Sequence, residues 1–138
     1  MQTQASASTG GAPLLQFQDV SVHYGVIQAL KGMNFAVKQG DIVTLVGSNG
    51  AGKTSTLRAV SGLVKLSGGK ILHKGEEISK LPAHQIVRRR VCQAPEGRGI
   101  FLNLTVEENL DLGAYAAPDK TTFATDLERA FTLFPRLK

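Results

Sequence analysis

At 138 residues, 42% of them apolar, the chain suits one compact domain and is not expected to be disordered throughout. Its formal net charge of +5 is spread over scattered cations, with Arg88-Arg89-Arg90 the one dense cluster, and it has no Trp to form a stacking platform; direct nucleic-acid binding is not expected. No run approaches the ~20 apolar residues that a membrane-spanning helix needs, and the single Cys92 has no disulfide partner within the chain, which fits a reducing compartment.

Residues 1–13, MQTQASASTGGAP, lack both a charged n-region and an apolar h-region, so they read as a disordered tail and not a secretory signal. From Leu14 the run LLQFQDVSVHY alternates apolar and polar residues, as a half-buried antiparallel strand does, and ALKGMNFAVKQGD continues with a second such strand. Ile42-Val43-Thr44-Leu45-Val46 is β-branched and almost wholly apolar, which predicts a strand covered on both faces, as in a parallel sheet. A Gly-rich loop and then a helix from Lys53 to about Ser61 follow. Lys70 to His73 and Glu76 to Ile78 read as short strands joined at Lys74-Gly75. Pro82 fits the first turn of a helix ending near Arg89, and Val91 to Ala94 reads as a further short strand. Thr105 and Glu108 have capping-box spacing at the start of a helix reaching about Tyr115. A last helix is expected over Thr121 to Phe134, where Phe123, Leu127, Ala130, Phe131 and Phe134 recur at helical spacing.

Chemistry concentrates in Gly47-Ser48-Asn49-Gly50-Ala51-Gly52-Lys53-Thr54, which satisfies the phosphate-binding pattern G-x-x-x-x-G-K-[ST] at every required position. Such a loop must wrap successive backbone N–H groups around phosphate oxygens, and glycines permit the backbone angles and the close approach. Lys53 would bring a positive charge to the β- and γ-phosphates, Thr54 a hydroxyl to magnesium, and the helix N-terminus its partial positive charge. Ser55 completes the expected nucleotide-binding set, with magnesium as the expected metal. Taken alone, Tyr24 near a strand end is more often a packing residue than a ligand-binding one.

With GSNGAGKT preceded by Tyr24-Gly25 and followed by Ser61-Gly62-Leu63, the sequence resembles the N-terminal part of an ABC transporter ATPase subunit. The resemblance implies an α/β fold, a P-loop NTPase core carrying an N-terminal antiparallel β-subdomain and leading into a helical subdomain. It also gives Tyr24 the position of an aromatic residue that stacks on adenine. Pro95-Glu96-Gly97-Arg98, with Phe101 and LTVEENL behind it, is similar to the Q-loop region in ATPase subunits of branched-chain amino acid importers, as are YGVIQAL and the terminal LFPRLK. The family's glutamine directly follows a Pro, so the matching position is Glu96 and not Gln93. Glu96 is then expected near the magnesium and γ-phosphate, where a carboxylate accepts hydrogen bonds from metal-bound water.

Leu66-Ser67-Gly68-Gly69 has the first letters of that family's LSGG signature. A working signature must open a helix that points its Ser and Gly groups at the γ-phosphate held by a partner subunit. Here KILHKGEEI follows, with strand and turn character, and the segment precedes the Q-loop instead of following it. It therefore reads as a look-alike turn. The Walker B Asp and catalytic Glu that the resemblance calls for are not found, and His23, His73 and His84 fall too early for the switch histidine.

The expected organisation is a nucleotide-binding core over 14–95 and a Q-loop-like segment with a partial helical subdomain over 96–138, the N-terminal portion of a family domain. By resemblance the intact protein is an ATPase driving import of branched-chain amino acids, with Lys53 and Glu96 as its catalytic contributions from this portion. Its implied partners are a second ATPase subunit and membrane permease subunits, which would hold it at the cytoplasmic face of the membrane without insertion. A nucleotide-binding module without hydrolysis, the ATPase of a related urea or amide importer, and a soluble P-loop ATPase are the alternatives.

Overall fold

The computed structural model describes residues 12–97, 99–117 and 121–138. Most of the expected N-terminal tail, and Arg98, lie outside the described residues. The chain divides into two compact units, one ending at Cys92 and one running from Gln93 to Lys138.

The first unit is built on four strands, β1 (Leu15–Tyr24), β2 (Ile27–Val37), β3 (Gly68–His73) and β4 (Glu76–Glu77), in the order β2-β1-β3-β4 with every pairing antiparallel. The turn between β3 and β4 has positive φ at both central residues, 52° at Lys74 and 83° at Gly75, the geometry of a tight hairpin turn matched to strand twist.

Strict alternation alone would have misplaced half of β1. Phe17 has opposite parity to Val20 and Val22, yet all three are buried in the same core. The register shifts between Phe17 and Val20, where Asp19 takes a left-handed conformation with φ of 50°. This bulge inserts one residue and turns the later side chains inward. Asn34 on β2 clamps it: the Asp19 amide donates to Asn34 Oδ1 at 2.9 Å, and Asn34 Nδ2 donates back to Asp19 Oδ1 at 2.6 Å. Next to it, Phe17 stacks on Phe35 of β2 with ring centroids 4.3 Å apart.

Two helices cover one face of this sheet. From α1 (Lys53–Val60) come buried Thr56 and Ala59, and from α2 (Ala83–Arg88) comes Ile86; these join Phe17, Val20, Val22, Leu30, Ile71 and Ile78. Pro82 caps α2 from outside the helix, where its missing N–H costs no bond. At the other end Arg90, with φ of 64°, plays the part usually given to glycine, while the Val91 and Arg90 amides return to the carbonyls of Ile86 and Val87.

Two expectations fail here. Ile42 to Val46 forms no regular strand, only a single bridge at Val46, and Ile42 is 96% exposed. An apolar β-branched run becomes a central strand only when hydrogen-bonded neighbours flank it, and apart from that bridge none does so among the described residues. Val91 to Ala94 is likewise irregular, for the same lack of a paired partner.

The second unit holds α3 (Val106–Ala114), α4 (Phe123–Leu133) and a closing 3-10 turn (Pro135–Leu137). The capping box of α3 is complete: the Glu108 amide donates to Thr105 Oγ1 at 3.2 Å and the Thr105 amide donates to Glu108 Oε2 at 2.7 Å. On α4 the residues Phe123, Leu127, Ala130 and Phe131 are half-buried as their spacing predicts, whereas Phe134 falls past the helix end and is exposed.

Candidate functional site: a phosphate-binding loop

The loop over 47–54 leaves the irregular Ile42–Val46 segment, in which Ile42, Thr44 and Val46 are exposed and Val43 and Leu45 half-buried, and enters α1. Gly50 and Gly52 adopt φ of 85° and 88°, a region that L side chains occupy only with strain. Gly52 also packs tightly against β2. A Cβ there would lie 2.7 Å from both the Ala29 carbonyl oxygen and Leu30 Cδ2. A Cβ on Gly47 would meet Ala51 Cβ at 2.8 Å. The glycines of the motif thus serve local packing as well as ligand approach.

Thr56 anchors the loop from below. It is 1% exposed, and its amide and hydroxyl both donate to the Gly52 carbonyl, at 2.8 and 2.9 Å. Because Thr56 makes the first intrahelical bond, the amides of Lys53, Thr54 and Ser55 have no acceptor within the helix. No acidic residue sits in the first turn, so the positive pole of α1 is not neutralised by the helix itself.

Lys53 Nζ donates to the carbonyls of Gly47 and Ser48, both at 2.7 Å, and so arches back across the loop's opening residues. Thr54 is exposed at the second position of α1, with Ser55 half-buried beside it. A carbonyl-held ammonium, a run of helix-start amides and an exposed hydroxyl together offer an anion several donors. Among the described residues no group of three or more His, Cys, Asp or Glu side chains could hold a metal ion. That donor set suits magnesium, which keeps most of its water and is held by one or two protein groups together with phosphates. Thr54, with its exposed hydroxyl, is the residue that would hold it.

Tyr24 comes to the same helix from β1. Hydrogen bonds from Ser55 first, and from Arg58, hold its phenol below the ordinary tyrosine range against the opposing effect of partial burial. The structure therefore brings Tyr24, Ser55 and the loop together. Arg58 was not legible as a site residue in the sequence; its spacing of three from Ser55, on one helix face, is the signal that points to it. Glu96 is exposed on a bend in the second unit.

The Leu66–Gly69 stretch is not the start of a helix, for β3 begins at Gly68. The Ser67 amide donates to the Ser21 carbonyl at 2.8 Å, which docks the segment onto β1.

A Gly-rich loop that delivers a lysine and a hydroxyl at a helix N-terminus, beside an antiparallel β-subdomain, defines a P-loop nucleotide-binding protein. The chain belongs to the ABC transporter family, which its residues 30–136 match. It is 44% identical over 125 residues to the high-affinity branched-chain amino acid transport ATP-binding protein BraG of Pseudomonas aeruginosa, covering 91% of this chain and 53% of that protein. It is 31% identical over 125 residues to the probable branched-chain amino acid transport ATP-binding protein LivF of Archaeoglobus fulgidus, covering 91% of this chain and 52% of that one. Its fold is similar to a solved ATP-binding subunit of an ABC transporter, with a TM-score of 0.75 and 31% identity over 90% of this chain and 51% of the other. The chain spans about half the length of the curated relatives it matches.

Proposed function

We propose that this chain is the phosphate-holding portion of an ATP-binding subunit that couples ATP binding and hydrolysis to uptake of branched-chain amino acids. The observation that carries the reading is the P-loop geometry, Lys53 arched over Gly47 and Ser48 at the start of α1, within a chain 44% identical to BraG. ATP would enter with its phosphates against the amides of residues 50–55, and Lys53 would exchange its two carbonyl partners for phosphate oxygens. Thr54 would hold magnesium, which when bound neutralises charge on the phosphates. Tyr24 would stack on the base, and Glu96, by its resemblance to the Q-loop position, would accept hydrogen bonds from metal-bound water.

Closure on a second ATPase subunit and transmission to membrane permease subunits complete the proposed cycle. Among the described residues no helix is long and apolar enough to cross a membrane. Attachment at the cytoplasmic face would pass through the permease. The test is uptake by the full-length protein with its permease in liposomes. ATP-dependent uptake of leucine, isoleucine and valine is expected; uptake of urea or short amides without them would replace this substrate by the related class.

A further inference from the structure

The far end of β1 is held differently from the rest of the sheet. Pairing of β1 with β3 runs from Leu15↔His73 only as far as Ser21↔Gly68. Beyond it, β1 continues to Tyr24 and returns as β2 from Ile27. The pairing of this hairpin end with β2 is itself irregular, with register shifts on both sides of Val22. Tyr24 and Ile27 at the tip are exposed, as is His23.

A side-chain link crosses the gap that the strand pairing leaves. His23 Nδ1 and Ser67 Oγ are hydrogen-bonded at 2.7 Å, joining residues 44 apart in sequence. Ser67 is itself fixed, since its amide donates to the Ser21 carbonyl and the adjoining Gly68 pairs with Ser21. Ser21 is braced from the other side by the Gly32 amide, which donates to Ser21 Oγ at 2.9 Å. The hairpin end thus has a tie through His23 to the segment before β3, and Tyr24 beyond it lies within reach of Ser55 and Arg58 on α1.

We propose that Ser67 and His23 are positioning residues for the base of ATP: their hydrogen bond fixes the end of β1 so that Tyr24 is presented for stacking. This rests on the reading of Tyr24 as the base-contacting aromatic. It also gives a purpose to the Ser of the signature-like stretch, which belongs to the base end of its own subunit's site and not to a partner's γ-phosphate. The effect falls mainly on the base, because Ser67 and His23 are tied to the hairpin end, whereas the loop over 47–54 would hold the phosphates.

The experiment compares dissociation constants for ATP and for inorganic triphosphate in the full-length protein, with circular dichroism confirming the fold. Ser67→Ala is expected to weaken ATP about threefold, the weight of one exposed hydrogen bond, and to leave triphosphate unchanged. His23→Ala should do the same, the double variant no more than either single one, and Ser67→Thr, which keeps the hydroxyl, should restore ATP affinity. Tyr24→Ala supplies the reference for full loss of stacking, roughly a fivefold to 150-fold loss of ATP affinity, which corresponds to on the order of 1–3 kcal/mol per base. If Tyr24→Ala discriminates between the ligands and Ser67→Ala does not, or weakens both equally, the tether is overturned while stacking stands. If Tyr24→Ala weakens both equally, the base-stacking reading falls and takes the tether with it.

Discussion

Gly69 lies so close to the backbone carbonyls of Gln18 and Asp19 that a Cβ could not be accommodated there. With φ of 75° it also occupies backbone space unfavourable to other residues. The second glycine of the LSGG-like stretch is thus set against the β1 bulge, the feature that turns Val20 and Val22 into the core. Gly69→Ala should destabilise the first unit by roughly 2–4 kcal/mol, from left-handed strain and overpacking together. Thermal or urea unfolding would measure it. A loss below about 0.5 kcal/mol, the ordinary size of a surface substitution, would show that the bulge relaxes freely.

Asn109 plays a similar closing part in the second unit. Its Oδ1 accepts from the Phe101 amide at 2.8 Å, while its Nδ2 lies 3.0, 3.3 and 2.8 Å from the carbonyls of Phe101, Leu104 and Thr105. One amide therefore satisfies the loop that leads into α3, at roughly 0.5–1.5 kcal/mol per net hydrogen bond. Asn109→Ala should speed hydrogen exchange at the Phe101 amide by at least about tenfold. Unchanged exchange there would mean that backbone packing holds the loop without it.

The capping box makes α3 sensitive to acid. Bonds from the Thr105 amide first, and then from its hydroxyl, hold the Glu108 carboxyl below the ordinary carboxylate range. A folded-state value below the unfolded one stabilises the helix start at pH above the unfolded value of about 4.3, and the benefit disappears as pH falls through the lower folded value. Helical signal from α3 should decline over that acidic window. In Glu108→Gln, which does not titrate, the decline should be absent. An identical acid profile in the variant would assign the loss to other carboxylates.

What was legible in the sequence was local. The P-loop spacing, the Thr105 and Glu108 pair and the Lys74-Gly75 turn each depend on neighbours a few residues away, and each has its expected local structure. Ile42 to Val46 misled because an apolar β-branched run declares burial without naming its covering strands. The bulge at Asp19 was invisible because it depends on Asn34 and Gly69, which meet it only in the folded sheet. For the same reason nothing in the sequence marked Asn109, whose partners Phe101 and Leu104 are set by how the loop closes.

The central claim is that residues 47–54 hold the phosphates of ATP, and Lys53→Ala addresses it most directly. A unit charge about 4 Å from a phosphate oxygen near a protein surface interacts by on the order of 4 kcal/mol before desolvation is subtracted. Calorimetric titration of the folded, full-length variant with magnesium and ATP should therefore show affinity lower by at least about tenfold, with circular dichroism unchanged. Affinity equal to that of the unmodified protein would contradict the account, because the cation arched over Gly47 and Ser48 would then have no part in holding the nucleotide.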